Sequence, residues 1–161
     1  MNLKFIFKKY LESKSLDYTK TIEKCSMNDQ GKVIELKVNN EDLQEEDVNK
    51  ILSYDTIKNL EYIVAFVFGD EKDTPYSTVL LPHPGFSKFP SVIANLPDLE
   101  VLNFNYRNIR KVKYRNDLKQ ISIEDGSLKL SKKLKKLTLS QVNLSSENLI
   151  ELSSLTNLEE M

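Results

Sequence analysis

The feature that most constrains this chain is a recurring pattern of large apolar residues. The pattern L-x-x-L-x-L-x-x-N-x-L fits four stretches when other apolar residues may replace leucine and any residue may replace asparagine: 33–43, 99–109, 118–128 and 134–144. A fifth, blurred copy begins at Leu60 and a sixth begins at Leu158. A repeat with a period of roughly 20–50 residues indicates small units that stack on one another, because no single unit can bury its own apolar side.

The fourth and sixth positions of each copy predict a β-strand. They are apolar and separated by one residue, and alternate residues of a strand point to the same side. In the four clear copies they are Leu36 and Val38, Leu102 and Phe104, Ile121 and Ile123, and Leu137 and Leu139. Each copy is expected to add one strand to a parallel sheet, with its third, fifth, seventh and eighth residues pointing away from the core.

The segments between the strands differ in length and pattern. Val48, Ile51 and Leu52 have helical spacing within residues 44–58, and Ser145 is a candidate N-cap for a helix that contains Leu149, Ile150 and Leu152. The shorter segments 110–117 and 129–133 have room for turns only.

Two motifs connect this pattern to a known family. In one, the residues that carry the likeness are Gly85, Phe89, Pro90, Ile93, Leu96, Leu99 and Leu102. This run is similar to the extracellular leucine-rich repeat of plant type, and residues 25–38 look like the entry to the first repeat of such proteins. The same spacing occurs in fungal proteins classed as L domain-like. The resemblance covers about residues 25–161 and implies an α/β fold, a right-handed solenoid with a parallel sheet on its concave side and short helices or turns on its convex side.

This interpretation divides the chain into a helical N-terminal cap, residues 1–32, and about five leucine-rich repeats in residues 33–161, the last one truncated. Within the cap, Phe5, Ile6, Tyr10 and Leu11 are expected to cover the first layer of the core.

The sequence departs from the family pattern in three ways. The usual asparagine at the ninth position is absent. Of the paired cysteines usual in the cap, only Cys25 is present, and the sequence stops at Met161 within a predicted strand. We therefore expect a piece of a longer secreted or cell-surface protein, or a truncated gene product. An uncapped last layer, with Leu155, Leu158 and Met161, is expected to favour self-association.

The resemblance implies recognition of a protein or polysaccharide on the concave face. The ligand-binding residues expected there are Tyr62, Phe66, Asn103, Asn105, Tyr106, Gln120 and Ser122. Aromatic groups beside amides suit such contacts. Alternatively, the segment 62–68 lies in the other register or under the N-terminal residues, which would remove its aromatic side chains from the site.

No catalytic motif accompanies the repeats, so we expect no enzyme activity, cofactor or metal. His83 is the single histidine and stands between two prolines, which favours an exposed loop residue over a metal ligand. No apolar run is long enough to span a membrane.

Two rival functions remain open. Residues 107–136 hold eleven Lys and Arg against three acidic residues in a chain with a net charge of −1. Such a stretch can bind a polyanion, but solvated side chains on the convex side are the favoured explanation, and nucleic acid is not the expected partner. The other rival is an intracellular adaptor, since Cys25 is the only cysteine and the first residues contain no uninterrupted apolar leader.

Overall fold

The computed structural model describes residues 3–70, 78–82, 88–106 and 120–161. They form a mixed α/β fold with a five-stranded, mostly parallel sheet. In chain order the elements are α1 (Leu3–Ser13), α2 (Tyr18–Thr21), β1 (Ile22–Met27), β2 (Val33–Asn39), α3 (Glu45–Ile51), β3 (Asn59–Val64), β4 (Phe66–Asp70), β5 (Thr78–Pro82), a 3₁₀ helix (Ser91–Asn95), β6 (Val101–Tyr106), β7 (Ile121–Ser122), β8 (Lys136–Leu139), β9 (Val142–Asn143) and α4 (Ser146–Ser153).

The main sheet has the strand order β1-β2-β3-β6-β8, so its parallel strands follow one another in chain order. Its register aligns Leu36, Leu60, Leu102 and Leu137 in one line. Each of these leucines is at most 1% exposed. Burying one such side chain contributes roughly 1.5–3 kcal/mol, so this line is a main part of the core.

A line of backbone hydrogen bonds just before the strands joins neighbouring units and marks where each unit begins. Backbone N–H groups donate from Lys58 to Ile34, from Glu100 to Lys58, from Lys135 to Glu100 and from Glu159 to Lys135, at 2.9, 2.7, 2.8 and 2.8 Å. From one unit to the next, the linked residues are 24, 42, 35 and 24 positions apart. Two units are therefore short, and two contain additional residues.

This register corrects two of the predicted copies. The copy predicted to begin at Leu60 actually begins three residues earlier, at Ile57, which places Leu60 and Tyr62 in the core. The copy predicted at 118–128 is not a unit of the main sheet, because β7 pairs with β9 and bridges Lys88. Strand β7 is a second strand of the unit that contains β6. The pairing of β7 with β9 and with Lys88, here called the second ladder, also borders the core, and Ile121 is therefore buried.

The N-terminal segment contains the expected helices and one strand that the sequence analysis did not predict. Helix α1 buries Phe7 and Leu11, and the rings of Phe7 and Tyr54 are nearly perpendicular, with centroids 5.1 Å apart. Phe5, which was expected to cover the first layer, is 49% exposed. Strand β1 pairs antiparallel with β2 and so covers one edge of the parallel sheet.

The two short units are built alike. Helices α3 and α4 each begin twelve residues after the first apolar position of their unit, Val33 or Leu134. At the start of α3 the Asp47 side chain accepts the Gln44 N–H at 2.9 Å. At the start of α4, Asn148 accepts the Ser145 N–H at 3.0 Å. Both caps satisfy backbone donors that a helix start otherwise leaves unpaired.

Buried polar side chains accept backbone N–H groups at the turns, the contact expected of an asparagine at the ninth position of the pattern. Asn40, one position before the expected site, is fully buried and its Oδ1 accepts the backbone N–H of Ala65 at 2.7 Å. Glu151 on α4 accepts the backbone N–H groups of Gly126 and Leu128, the latter at 3.0 Å. Gly126 has a φ of 93°, a left-handed conformation that suits glycine. Each side chain joins one unit to its neighbour.

The strand phase can be tested with two adjacent substitutions. Leu137 is 1% exposed and Thr138 is exposed. Leu137→Asp buries a charge and is expected to lower the free energy of unfolding by several kcal/mol, enough to unfold a domain of ordinary stability. Thr138→Asp is expected to cost well under about 1 kcal/mol. Urea denaturation measures both, and equal losses would contradict this register.

The role of Asn40 gives a second prediction. Asn40→Ala leaves the buried Ala65 N–H without its acceptor and is expected to cost about 1–3 kcal/mol. The matched control is Asn143→Ala, because Asn143 is exposed and its removal is expected to cost less than about 0.5 kcal/mol. Thermal melting of the two variants checks this, and an Asn40→Ala protein that melts at the wild-type temperature would contradict the role of Asn40.

Candidate functional site: the open face of the sheet

The side of the sheet that faces away from the core, here called the open face, carries polar residues in rows across the strands. The first row is Glu35, Asn59, Val101 and Lys136, and the second is Lys37, Glu61, Asn103 and Thr138. Every member of these two rows is partly or fully exposed. Neighbours within a row lie on strands about 4.8 Å apart, close enough for one ligand to touch several of them.

A third row closes the open face toward the ends of the strands. It consists of Asn39, Ile63 and Asn105, of which Asn39 is 1% and Ile63 is 7% exposed. The accessible part of the face therefore lies over the first half of each strand.

Strand β1 supplies charges that pair with those of β2. Lys24 Nζ lies 2.8 Å from a Glu35 carboxylate oxygen, and Ser26 Oγ donates to the other oxygen at 3.0 Å. The hydrogen bond from Lys24 lowers the pKa of Glu35 below its ordinary value. The acidic and basic groups at this end of the face thus neutralise each other.

The second row is connected in the same way. Lys37 Nζ lies 3.1 Å from Glu61 and 3.6 Å from Glu23, and the hydrogen bond with Glu61 raises the pKa of Lys37. Asn105 Nδ2 donates to Glu61 at 3.4 Å and to Asn103 Oδ1 at 3.2 Å. Along the second row, the charged side chains on β2 and β3 are followed by the amide of Asn103 on β6.

An open depression of about 470 Å³ lies on this face, and its walls come from β1, β2, β3 and β6. Its polar lining offers both donors and acceptors, and Val101 adds an apolar contact. Since the ion pairs within it balance, the depression suits a ligand that forms hydrogen bonds and carries little net charge.

Of the predicted site residues, Asn103 and Asn105 lie together on the open face. Tyr62 does not: it is fully buried and its ring stacks on that of Phe104, with centroids 5.5 Å apart. Burial raises the pKa of Tyr62 well above its ordinary value. The predicted exposure of Tyr62 is wrong because its unit begins at Ile57 rather than Leu60.

The other predicted site residues are not brought onto the open face either. Tyr106 comes two residues after Phe104 on β6, so it lies on the side of the strand that faces the core, where it is half-buried and packs against the core. Phe66 begins β4, which pairs with β5 in a separate hairpin, and the prediction for its side chain lies outside the described residues. Ser122 is on β7, and Gln120 precedes that strand, so neither belongs to the main sheet.

The sequence analysis missed Asn59 and Glu61, which occupy the middle of the face. The signal was present, because Ile57, Leu60 and Tyr62 have the spacing of the first, fourth and sixth positions. The pattern was not recognised because its sixth position holds a tyrosine, where an aliphatic residue was expected. The contribution of β1 had no comparable signal, since antiparallel pairing at the edge follows no repeat.

The basic stretch is only partly described, because residues 107–119 lie outside the described part of the chain. Lys135 pairs with Glu100 at 3.1 Å, Lys136 with Glu160 at 2.8 Å, and Lys133 with Asp98. Acidic neighbours therefore balance the charge of these three exposed lysines locally.

The described ranges of the chain show neither a cluster of metal ligands nor a membrane-spanning helix. No group of three or more His, Cys, Asp or Glu side chains is arranged to hold a metal ion there. Within the same ranges, no helix has both the length and the apolar character that crossing a bilayer requires. His83 lies outside them.

Comparison with protein-family models, with curated proteins and with solved structures gave no significant match.

The ion pair between Lys24 and Glu35 predicts a measurable titration. A carboxylate with a lowered pKa adds stability above its ordinary pKa, and this contribution is lost as the pH falls through the lowered value. Lys24→Met is expected to move the pKa of Glu35 up toward its ordinary value, followed by the carboxyl carbon resonance. Lys20→Met, which removes a pair with Asp42 instead, is the control. An unchanged Glu35 pKa in Lys24→Met would contradict the pairing.

Proposed function

We propose that the chain is a short right-handed leucine-rich-repeat solenoid that binds a protein or polysaccharide on the open face of its sheet and catalyses no reaction. Support for the fold comes from units that repeat one strand in one register. The two short units are 24 residues long, within the range of about 20–29 residues usual for this repeat. The open face is the concave side in this proposal.

The observation that carries the proposed function is the accessibility of the two polar rows. Four parallel strands and an edge strand hold these side chains at fixed spacings, and a rigid sheet spends little entropy on ordering them when a ligand binds. The side chains that face the core on the same strands are almost fully buried, so the polar rows are the part of the sheet open to a partner.

Each part of the face would have its own role. Glu61 accepts hydrogen bonds from hydroxyl or amide groups, and Asn103 can donate and accept them. Thr138 extends the row, while Val101 meets an apolar part of the ligand. Carbohydrate hydroxyls and peptide amides both match such groups, which is why the proposal covers both classes.

The intramolecular pairing of Lys133, Lys135 and Lys136 favours this proposal over the polyanion-binding alternative. The adaptor alternative uses the same open face and differs in cellular location, so the binding experiment applies to it as well.

A ligand screen followed by residue-level mapping tests the proposed face. The isotopically labelled chain is titrated with laminarin, mannan, chitin oligosaccharides and peptides selected from a displayed library. We expect amide shifts to concentrate on β2, β3, β6 and β8 for whichever probe binds. Shifts confined to residues 129–135 together with salt-dependent retention on heparin would instead support polyanion binding.

Substitutions at the centre of the face then quantify its role. Asn103→Ala is expected to weaken binding of the selected probe about tenfold, or about 1.4 kcal/mol, with an unchanged melting temperature. Lys133→Ala, outside the face, is the control and is expected to leave affinity unchanged. Calorimetric titration measures both, and equal affinities for wild type and Asn103→Ala would contradict the proposed site.

A further inference from the structure

Helix α4 exposes two adjacent large apolar residues. Leu149 is 56% and Ile150 is 62% exposed, while the same helix buries Asn148, Glu151 and Leu152 toward the core. Among the described residues, the other large apolar side chains with comparable exposure are Phe5 and Met161, each near an end of the sequence.

Comparison of the two short units shows that this exposure is specific to α4. Leu149 occupies the place of Val48 on α3, which is 1% exposed. Ile150 occupies the place of Asn49, a polar residue that is exposed. At a place where the first unit has an amide in water, the last unit has a large hydrocarbon side chain. The two neighbouring side chains form a small apolar patch on the surface, and exposed apolar patches are typical of contact sites.

Charged groups flank the apolar pair at opposite ends of the helix. Glu147 is in the first turn, and it carries the charge that a helix N-terminus favours. At the other end, Lys132 Nζ donates to the Ser154 carbonyl oxygen at 2.8 Å. Between them, the groove of about 350 Å³ next to α4 is also lined by Lys129, Leu130 and Ile150.

We propose that this face binds a second copy of the same chain. Leu149 and Ile150 are the middle residues of the eight-residue helix, so a two-fold axis through this point places each apolar pair on its counterpart. The two helices then run antiparallel, and Glu147 of one copy faces Lys132 of the other at both ends of the contact. The charge pattern is complementary to itself, which a surface for an unrelated partner does not require.

The dimer leaves the open face of the sheet free. Helix α4 and the inner side of the sheet bury their apolar residues in one core, so the exposed side of α4 points away from the sheet. The proposal is therefore independent of the proposed function. A contact of one short helix and one turn is small, and we expect a weak, reversible dimer.

The first test measures mass against concentration by sedimentation. The wild-type chain is expected to move from 18.6 kDa toward twice that mass as its concentration rises to about 1 mM. Leu149→Glu keeps a good helix former and is expected to raise the dissociation constant at least about tenfold. Ile150→Asn, which copies the residue of the first unit, is expected to act in the same direction. Phe5→Asp is the control for an exposed apolar residue elsewhere and is expected to change nothing.

The second test examines the two-fold arrangement by charge exchange. Glu147→Lys alone and Lys132→Glu alone each place like charges opposite one another and are expected to weaken self-association. An equimolar mixture of the two variants restores both opposite-charge pairs, so it is expected to recover dimer. Melting curves of each variant confirm that α4 remains folded.

A wild-type chain that stays monomeric throughout the range would overturn the proposal. So would a dimer that Leu149→Glu does not weaken, or a mixture of folded charge variants that does not associate better than either variant alone.

Discussion

The alignment of apolar residues across the parallel strands is the constraint on which the rest of this structure depends. Leu36, Leu60, Leu102 and Leu137 share one line, and the hydrogen bonds just before the strands keep every unit in phase with that line. A shift of one residue would exchange the two sides of a strand and bury its charges. Once the line is fixed, the position of every polar residue on the open face follows from alternation alone.

Polar side chains complete the units where the backbone turns. Asn40, Asp47, Asn148 and Glu151 are all buried, and each accepts a backbone N–H that would otherwise lack a partner. In the leucine-rich-repeat pattern that the sequence resembles, one asparagine per repeat makes such a contact, whereas in this chain different residues make it at different places. The common requirement is an acceptor for a buried donor, and several side chains meet it.

Much of the sheet could be predicted from the sequence, and the errors have physical causes. The strands at Leu36, Leu102 and Leu137 and the two capped helices were found, because aliphatic spacing and capping residues are local signals. Tyr62 was misplaced because an aromatic ring filled a position expected to be aliphatic. Residues 118–128 match the pattern because the second ladder also buries alternate residues. Strand β1 could not be found, since its pairing depends on an open sheet edge and not on its own composition.

The candidate site was predictable only where the phase was correct. Asn103 and Asn105 were identified because their strand was aligned, while Glu61 and Asn59 were lost with the misplaced Leu60 copy. The pairing of Lys24 with Glu35 is a contact across the edge of the sheet, which repeats along the chain do not encode. Because the strand of that unit was placed three residues too late in the sequence, the predicted site contained an aromatic side chain where the structure has polar ones.

One of the two long units differs from the short ones in a way that bears on protein engineering. In the unit that contains β3, the β4–β5 hairpin intervenes before the chain reaches Lys88 and the second ladder. This hairpin leaves the pairing of β3 with β2 and with β6 unchanged, and the entropic cost of a longer connection grows only slowly with length. The segment that follows β3 is therefore a natural grafting point, where a loop of foreign sequence can be displayed on an unchanged frame.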